Sequence, residues 1–273
     1  MVACGEKVEP QGQLNGKAMG TTWSLKINGD PAAELDKVIG LRLAELEVIF
    51  STWDDSSVVS RLNRGEDVDL PPEYQEVLTL AETIKELSGG AFDVEVGELV
   101  QQHGFGSKLG GRLDFSGIAK GYAVDEIGRL LDGRGIEEYL FELGGELIGR
   151  GEREWQVGLE SADPESVGKV RRVVGLRNQA VATSGRYRQF SGEANHLIDP
   201  RTRQPVVHDC VSVSVVAASC QLADAWATAL IVLGIEDGMA LAEREGIEAY
   251  FVRRLEDGNF EELHTPAQPS PGG

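Results

Sequence analysis

The chain has 273 residues, 41% of them hydrophobic and 26% charged, which is enough apolar material for a sizeable core. Its formal net charge of -19 excludes nucleic acid and anionic membrane surfaces as partners held by a broadly basic face. A nucleotide can still be held locally, where backbone N–H groups, one or two Lys or Arg and a metal supply positive charge.

Residues 1–17 read as a flexible tether. Within it, Val2-Ala3-Cys4-Gly5 has two readings. One is the mature start of a bacterial lipoprotein with Cys4 lipidated, its export signal removed. That reading places the protein on the periplasmic side of the envelope, touching the membrane only through the lipid. The other is a thiol on a disordered tail. Three cysteines exclude a disulfide scaffold, and Cys210 and Cys220 flank an apolar run as core residues do. Residues 18–264 form the globular domain, and 265–273 read as a Pro/Gly-rich disordered tail.

From the N-terminus, a strand is predicted over Met19–Ile27 and a helix over Ala33–Phe50, where Leu35, Val38, Ile39, Leu43, Leu46 and Ile49 recur at helical spacing. Ser51–Asn63 reads as a polar loop entering a short helix. Pro71-Pro72 opens a helix that Gly89-Gly90 ends. Gly90–Gly111 is Gly-rich with little periodicity. Leu113–Ile118 reads as a short strand and turn, followed by a helix over Lys120–Leu131. Strands are expected at Tyr139–Leu143, Glu146–Gly149, Trp155–Leu159, Val170–Leu176, Ala180–Ser184 and Val211–Ala217. A helix from Ala223 closes at Gly234, another runs over Gly238–Glu245, and a strand at Ala249–Arg253 is the last. Helices and strands mix without a regular βα repeat, so the class is α+β: two interleaved subdomains with mixed or antiparallel sheets. Neither Gly-x-Gly-x-x-Gly nor a Gly-Lys-Ser/Thr phosphate loop occurs.

Asp224 and Thr228 are four apart on a helix of otherwise small, apolar residues, so they share one face. A buried carboxylate and hydroxyl need partners. A hard cation such as Mg²⁺ would satisfy both; so would helix capping and back-bonding by the Thr. In Asp114-Phe115-Ser116-Gly117-Ile118-Ala119-Lys120 a turn opens a helix, whose first N–H groups and Lys120 make an anion site. The bland alternative is a solvated Lys beside a Ser/Gly turn. Gly89-Gly90-Ala91-Phe92-Asp93 and Gly144-Gly145-Glu146 are turns where backbone can approach a flat ligand, and Met19, Trp53 and Tyr187 are candidates to pack on an aromatic ring. His196 sits in a loop with Asp199 and is the histidine placed to exchange a proton near neutral pH.

Together these segments resemble the ApbE family of FAD:protein FMN transferases. The likeness runs in order through Met19-Gly20-Thr21, Ser51-Thr52-Trp53, Gly90-Ala91-Phe92-Asp93, Leu113 through Asp125, Gly144-Gly145-Glu146, Thr183-Ser184-Gly185, His196-Leu197-Ile198-Asp199-Pro200 and Ala223-Asp224-Ala225 with Ala227-Thr228-Ala229. It departs from the family pattern at Val58, Glu95, Glu98, Gln102-His103 and Arg203, where the family usually has Gly. The resemblance implies Mg²⁺-dependent transfer of FMN from FAD to a Thr or Ser hydroxyl of an acceptor, with release of AMP; the acceptor it suggests is a respiratory or electron-transport flavoprotein. It implies a metal held by Asp224, Thr228 and the Gly117 carbonyl, and FAD contacted by Met19, Trp53, Ala91, Phe92, Asp93, Asp114, Lys120, His196 and Ile198. His196 and Asp224 would serve the chemistry. The same residues would suit an FAD pyrophosphatase releasing FMN and AMP, or a non-catalytic FAD-binding lipoprotein.

Overall fold

The computed structural model describes residues 12–161, 163, 168–186 and 197–266. Among these, eight strands form one antiparallel sheet in the order β1-β2-β3-β4-β7-β10-β11-β12. They are β1 (Gly12–Ala18), β2 (Thr21–Ile27), β3 (Tyr139–Leu143), β4 (Glu146–Arg150), β7 (Gln179–Gly185), β10 (Cys210–Ala217), β11 (Glu248–Arg254) and β12 (Phe260–His264). Helices α1 (Leu35–Phe50), α3 (Pro72–Leu87), α5 (Ala119–Asp132) and α6 (Cys220–Glu245) share the main core with one face of the sheet. A ribbon of β5 (Trp155–Glu160) and β6 (Val170–Leu176) packs on the other face. The two-residue alternation of a strand divides these cores. Ala180 and Ala182 of β7 belong to the helix side, whereas Val181 belongs to the ribbon side. The remaining helices and strands are α2 (Val58–Asn63), α4 (Gly97–Gln102), β8 (Ile198–Asp199) and β9 (Gln204–Pro205).

The class is α+β, as expected, with antiparallel sheets. Three local expectations are corrected. Residues 12–17, read as tether, lie in β1, which pairs with β2 along its whole length. Its Gly16 lies against the Trp23 ring so closely that a Cβ there would come within 2.6 Å. Residue 265, read as the first of the tail, is part of the fold: Thr265 is buried, and its backbone N–H donates to the Ala249 carbonyl at 3.0 Å. The Gly-rich stretch Gly90–Gly111 contains α4, preceded by a tight helical turn at Val94–Val96.

Helices α5 and α6 cross at a small-residue contact. A Cβ on Gly121 would stand 2.4 Å from the Cys220 carbonyl oxygen, so only glycine allows this approach. The Asp125 carboxylate, on α5, accepts hydrogen bonds from the Cys220 and Gln221 N–H groups, each at 2.8 Å. Those are donors that the first turn of α6 cannot satisfy internally. Helix α6 is the one described helix long and apolar enough to cross a membrane, yet it is mostly buried in this core. Its interruption falls at Gly234 (φ 81°), where a helix end was expected, and the half-buried His208 ring packs against the break.

Candidate active site

The loop at 113–118 is not a strand. Asn63 takes the place of a neighbouring strand: its amide donates to the Leu113 carbonyl at 2.9 Å and accepts from the Leu113 N–H at 2.7 Å. Asp114 N–H donates to the Val94 carbonyl at 2.7 Å. Phe115, fully buried, plugs the loop into an aromatic cluster with Phe50 and Tyr74, whose ring centroids lie 5.6 and 5.4 Å away. This anchoring delivers Gly117 to α6. A Cβ at Gly117 would lie 3.0 Å from Thr228 Oγ1 and 3.3 Å from Phe92, so the absent side chain is what lets the backbone approach.

Here the Thr228 hydroxyl meets the Gly117 carbonyl, one helical turn along α6 from Asp224. Thr228 Oγ1 donates to the Gly117 carbonyl at 3.5 Å, and Ser184 Oγ lies 3.2 Å from Thr228 Oγ1. One turn earlier on α6, Asp224 Oδ2 accepts from the Gly121 N–H at 3.0 Å and the side chain is buried. The carboxylate thus satisfies an N-terminal donor of α5 and does not cap its own helix, which begins at Ser219. A carboxylate, a hydroxyl and a backbone carbonyl make an all-oxygen donor set of the kind Mg²⁺ takes. The residues present therefore fit a hard divalent cation.

The electrostatics are those of a desolvated site. Burial pushes the Asp224 carboxyl up to about 7, an effect that the positive charge of Lys120 reduces and the negative charge of Glu146 adds to. Burial alone would lower the Lys120 ammonium, but Glu146 and Asp224 outweigh it and raise its pKa. Lys120 forms an ion pair with Glu146, itself only 2% exposed. The anion site expected from helix N–H groups is partly spent within the fold, since Ala119 N–H donates to Phe115 O at 2.9 Å and Gly121 N–H to Asp224. Positive charge at this end of α5 rests chiefly on Lys120.

The other expected residues are spread over several elements. Met19 (φ 49°) and Gly20 (φ 71°) make the β1–β2 turn, beside a cavity of about 550 Å³ that Met19 and Glu47 help line. Next to it, Thr21 packs where a Cβ on Gly144 would fall, 2.8 Å away. Trp53 is 71% exposed, an unusual place for a tryptophan unless a flat ligand or partner covers it. Ala91 and Phe92 are buried, as is Ile198 in β8. Asp93 pairs with Lys85 at 2.7 Å and accepts from Glu95 N–H at 2.9 Å; Asp114 accepts from Ser116 N–H at 2.9 Å. Tyr187, Asn195, His196 and Cys4 lie outside the described residues. Sequence reasoning missed the role of Ser184 against Thr228, of Glu146 under Lys120 and of Asp125 at the head of α6. Each stands in a motif segment, but nothing local names its partner.

Across 19–112 and 107–251 the sequence matches the profile of the ApbE family. The chain belongs to the ApbE family. A relative from Vibrio cholerae, named FAD:protein FMN transferase, is 31% identical over 98% of this chain and 95% of its own length. Another of that name from Escherichia coli K12 is 30% identical over 94% and 90%. The apo crystal structure of the Pseudomonas stutzeri flavinyl transferase ApbE superposes with a TM-score of 0.82 at 32% identity, covering 93% of this chain and 94% of that one. Two of this chain's departures from the family pattern meet: His103 Nε2 donates to the Arg203 carbonyl at 3.3 Å. Arg203 occupies the left-handed region (φ 61°) where the family's glycine costs nothing. Arg203→Gly is expected to stabilise the fold by about 0.5–1 kcal/mol in urea unfolding; an unchanged or lower midpoint would show that no strain is held there.

Proposed function

We propose that this ApbE-family protein is a Mg²⁺-dependent FAD:protein FMN transferase. The observation that carries this reading is the Thr228 hydroxyl on the Gly117 carbonyl, one turn of α6 from the buried Asp224 carboxylate, which accepts from the Gly121 N–H and feels the charge of Lys120. In the reaction, a Thr or Ser hydroxyl of the acceptor attacks the FMN-side phosphorus of FAD. A new phosphoester bond forms, the bond from that phosphorus to the bridging oxygen breaks, and AMP leaves with that oxygen. Asp224, Thr228 and Gly117 would hold the Mg²⁺, which when bound neutralises charge on the phosphate oxygens. Lys120, fixed as a cation by its buried neighbours, adds charge from the protein itself. Met19, Trp53, Ala91, Phe92, Asp93, Asp114 and Ile198 would seat the FAD. His196 is the group we assign to accept the hydroxyl proton, a role that contributes about 10²–10⁴-fold. His196→Ala with unchanged transfer would remove it from that role.

The deciding experiment incubates the protein with FAD, Mg²⁺ and the soluble domain of a candidate respiratory flavoprotein. Acceptor mass increased by one FMN on a single Thr or Ser supports transfer. Free FMN and AMP with an unmodified acceptor would mean a pyrophosphatase, and intact bound FAD would mean a binding protein. We further propose that Cys4 carries a lipid on the periplasmic side of a bacterial envelope; an unmodified Cys4 in the natively expressed protein, read by intact mass, would end that proposal.

Proton and metal compete for Asp224. Because its carboxyl is pushed up to about 7, apparent Mg²⁺ affinity is expected to rise with pH through that value and to level off above it. A flat titration of Mn²⁺ affinity between pH 5.5 and pH 8, roughly the window around that carboxyl, would contradict this.

A further inference from the structure

We propose that Glu146 is a positioning residue that holds Lys120 away from Asp224 and so keeps the metal ligand open. The inference rests on the reading of the site given above. Glu146 opens β4 directly after the Gly144-Gly145 turn and is almost wholly buried. One of its oxygens pairs with the Lys120 ammonium; the other, Oε2, is buried without a hydrogen-bond partner among the described residues. Lys120 immediately precedes Gly121, whose N–H donates to Asp224. The ammonium therefore lies within electrostatic reach of two buried carboxylates, yet among the described residues it makes an ion pair with Glu146 alone.

A half-buried ammonium pairs with a carboxylate within its reach. With Glu146 neutralised, Asp224 is the remaining one. An ammonium seated on Asp224 would block the oxygen that a divalent ion needs and would repel the ion as well. Glu146 prevents this by holding the ammonium in its own ion pair, although it is not itself a metal ligand in this reading.

The test is Mn²⁺ binding to the intact protein without FAD, followed by the paramagnetic resonance of the unbound ion. No turnover is involved. Wild type is expected to bind Mn²⁺ and Asp224→Asn to lose it. Glu146→Gln, which keeps size and shape, is expected to weaken binding by about 10–100-fold, the usual cost of disturbing a residue behind a metal ligand. In a Lys120→Met background the same Glu146→Gln change is expected to cost no more than about twofold, since there is no ammonium left to misplace. A loss of the same size in both backgrounds would overturn the inference, because it would reflect removal of a negative charge and nothing more. No loss in either background would overturn it too. Should Glu146→Gln fail to fold, Lys120→Met alone is expected to bind Mn²⁺ at least as tightly as wild type, and weaker binding would count against the idea. If wild type binds no Mn²⁺, or Asp224→Asn binds it as wild type does, the metal reading itself has failed.

Discussion

Asp224→Asn is expected to lower Mg²⁺-dependent FMN transfer by about 10³-fold or more while making the metal-free protein more stable. The first effect follows from removing the one charged oxygen among the three ligands proposed for the ion. The second follows from linkage. In the folded state the Asp224 carboxyl titrates near 7, against an ordinary value of 3.8, so between those values the folded protein holds a proton that the unfolded chain has released. Stability therefore falls as pH rises through that window and stays at the lower level above it. Asparagine keeps an acceptor for the Gly121 N–H without the charge. The stability gain of Asp224→Asn over wild type should grow from pH 4 to pH 7 and then remain constant, an interval set by about the two carboxyl values. Thermal unfolding of the two proteins across pH checks the sign, and transfer assays check the activity. A variant that lost both stability and transfer would make Asp224 a scaffold residue.

The second large effect concerns Asp125. Asp125→Ala is expected to cost about 2–5 kcal/mol in urea unfolding, because it strands the Cys220 and Gln221 N–H groups in a buried helix junction. Asp125→Asn retains one acceptor oxygen and should cost less. Because α6 begins at these two donors, the Ala variant should also raise the metal concentration needed for half-maximal transfer. Equal stability of Ala variant and wild type would show that the junction is held by packing at Gly121 and not by the carboxylate.

The sequence is most legible where periodicity and punctuation coincide. Pro71-Pro72 and Gly89-Gly90 bracket α3, and the apolar spacing of Leu35 to Ile49 marks α1. It is least legible where a partner distant in sequence supplies the pairing. Gly12–Ala18 is polar and Gly-containing, so nothing in it demands a strand until Trp23 covers Gly16. Strand β12 is likewise a charged edge, held by ion pairs such as Arg253–Glu261 at 2.6 Å. Conversely, Leu113–Ile118 looks like a strand, but Asn63 satisfies it with a side chain.

The site divides the same way. Asp224 and Thr228 announce themselves by helical spacing, and Gly117 and Lys120 by the turn that opens α5. Glu146 and Ser184 carry no such signal, because each acts through a residue far away in the chain: Lys120 for one, Thr228 for the other. Asp125 is one helical turn past Gly121, and only the crossing of α5 with α6 shows what its carboxylate holds.

The most direct test is an anomalous-scattering map from crystals grown with FAD and Mn²⁺. The account predicts a single strong peak ligated by Asp224, Thr228 and the Gly117 carbonyl and touching the pyrophosphate. A peak elsewhere, or FAD bound with Asp224 still held by the Gly121 N–H and no ion beside it, would contradict it.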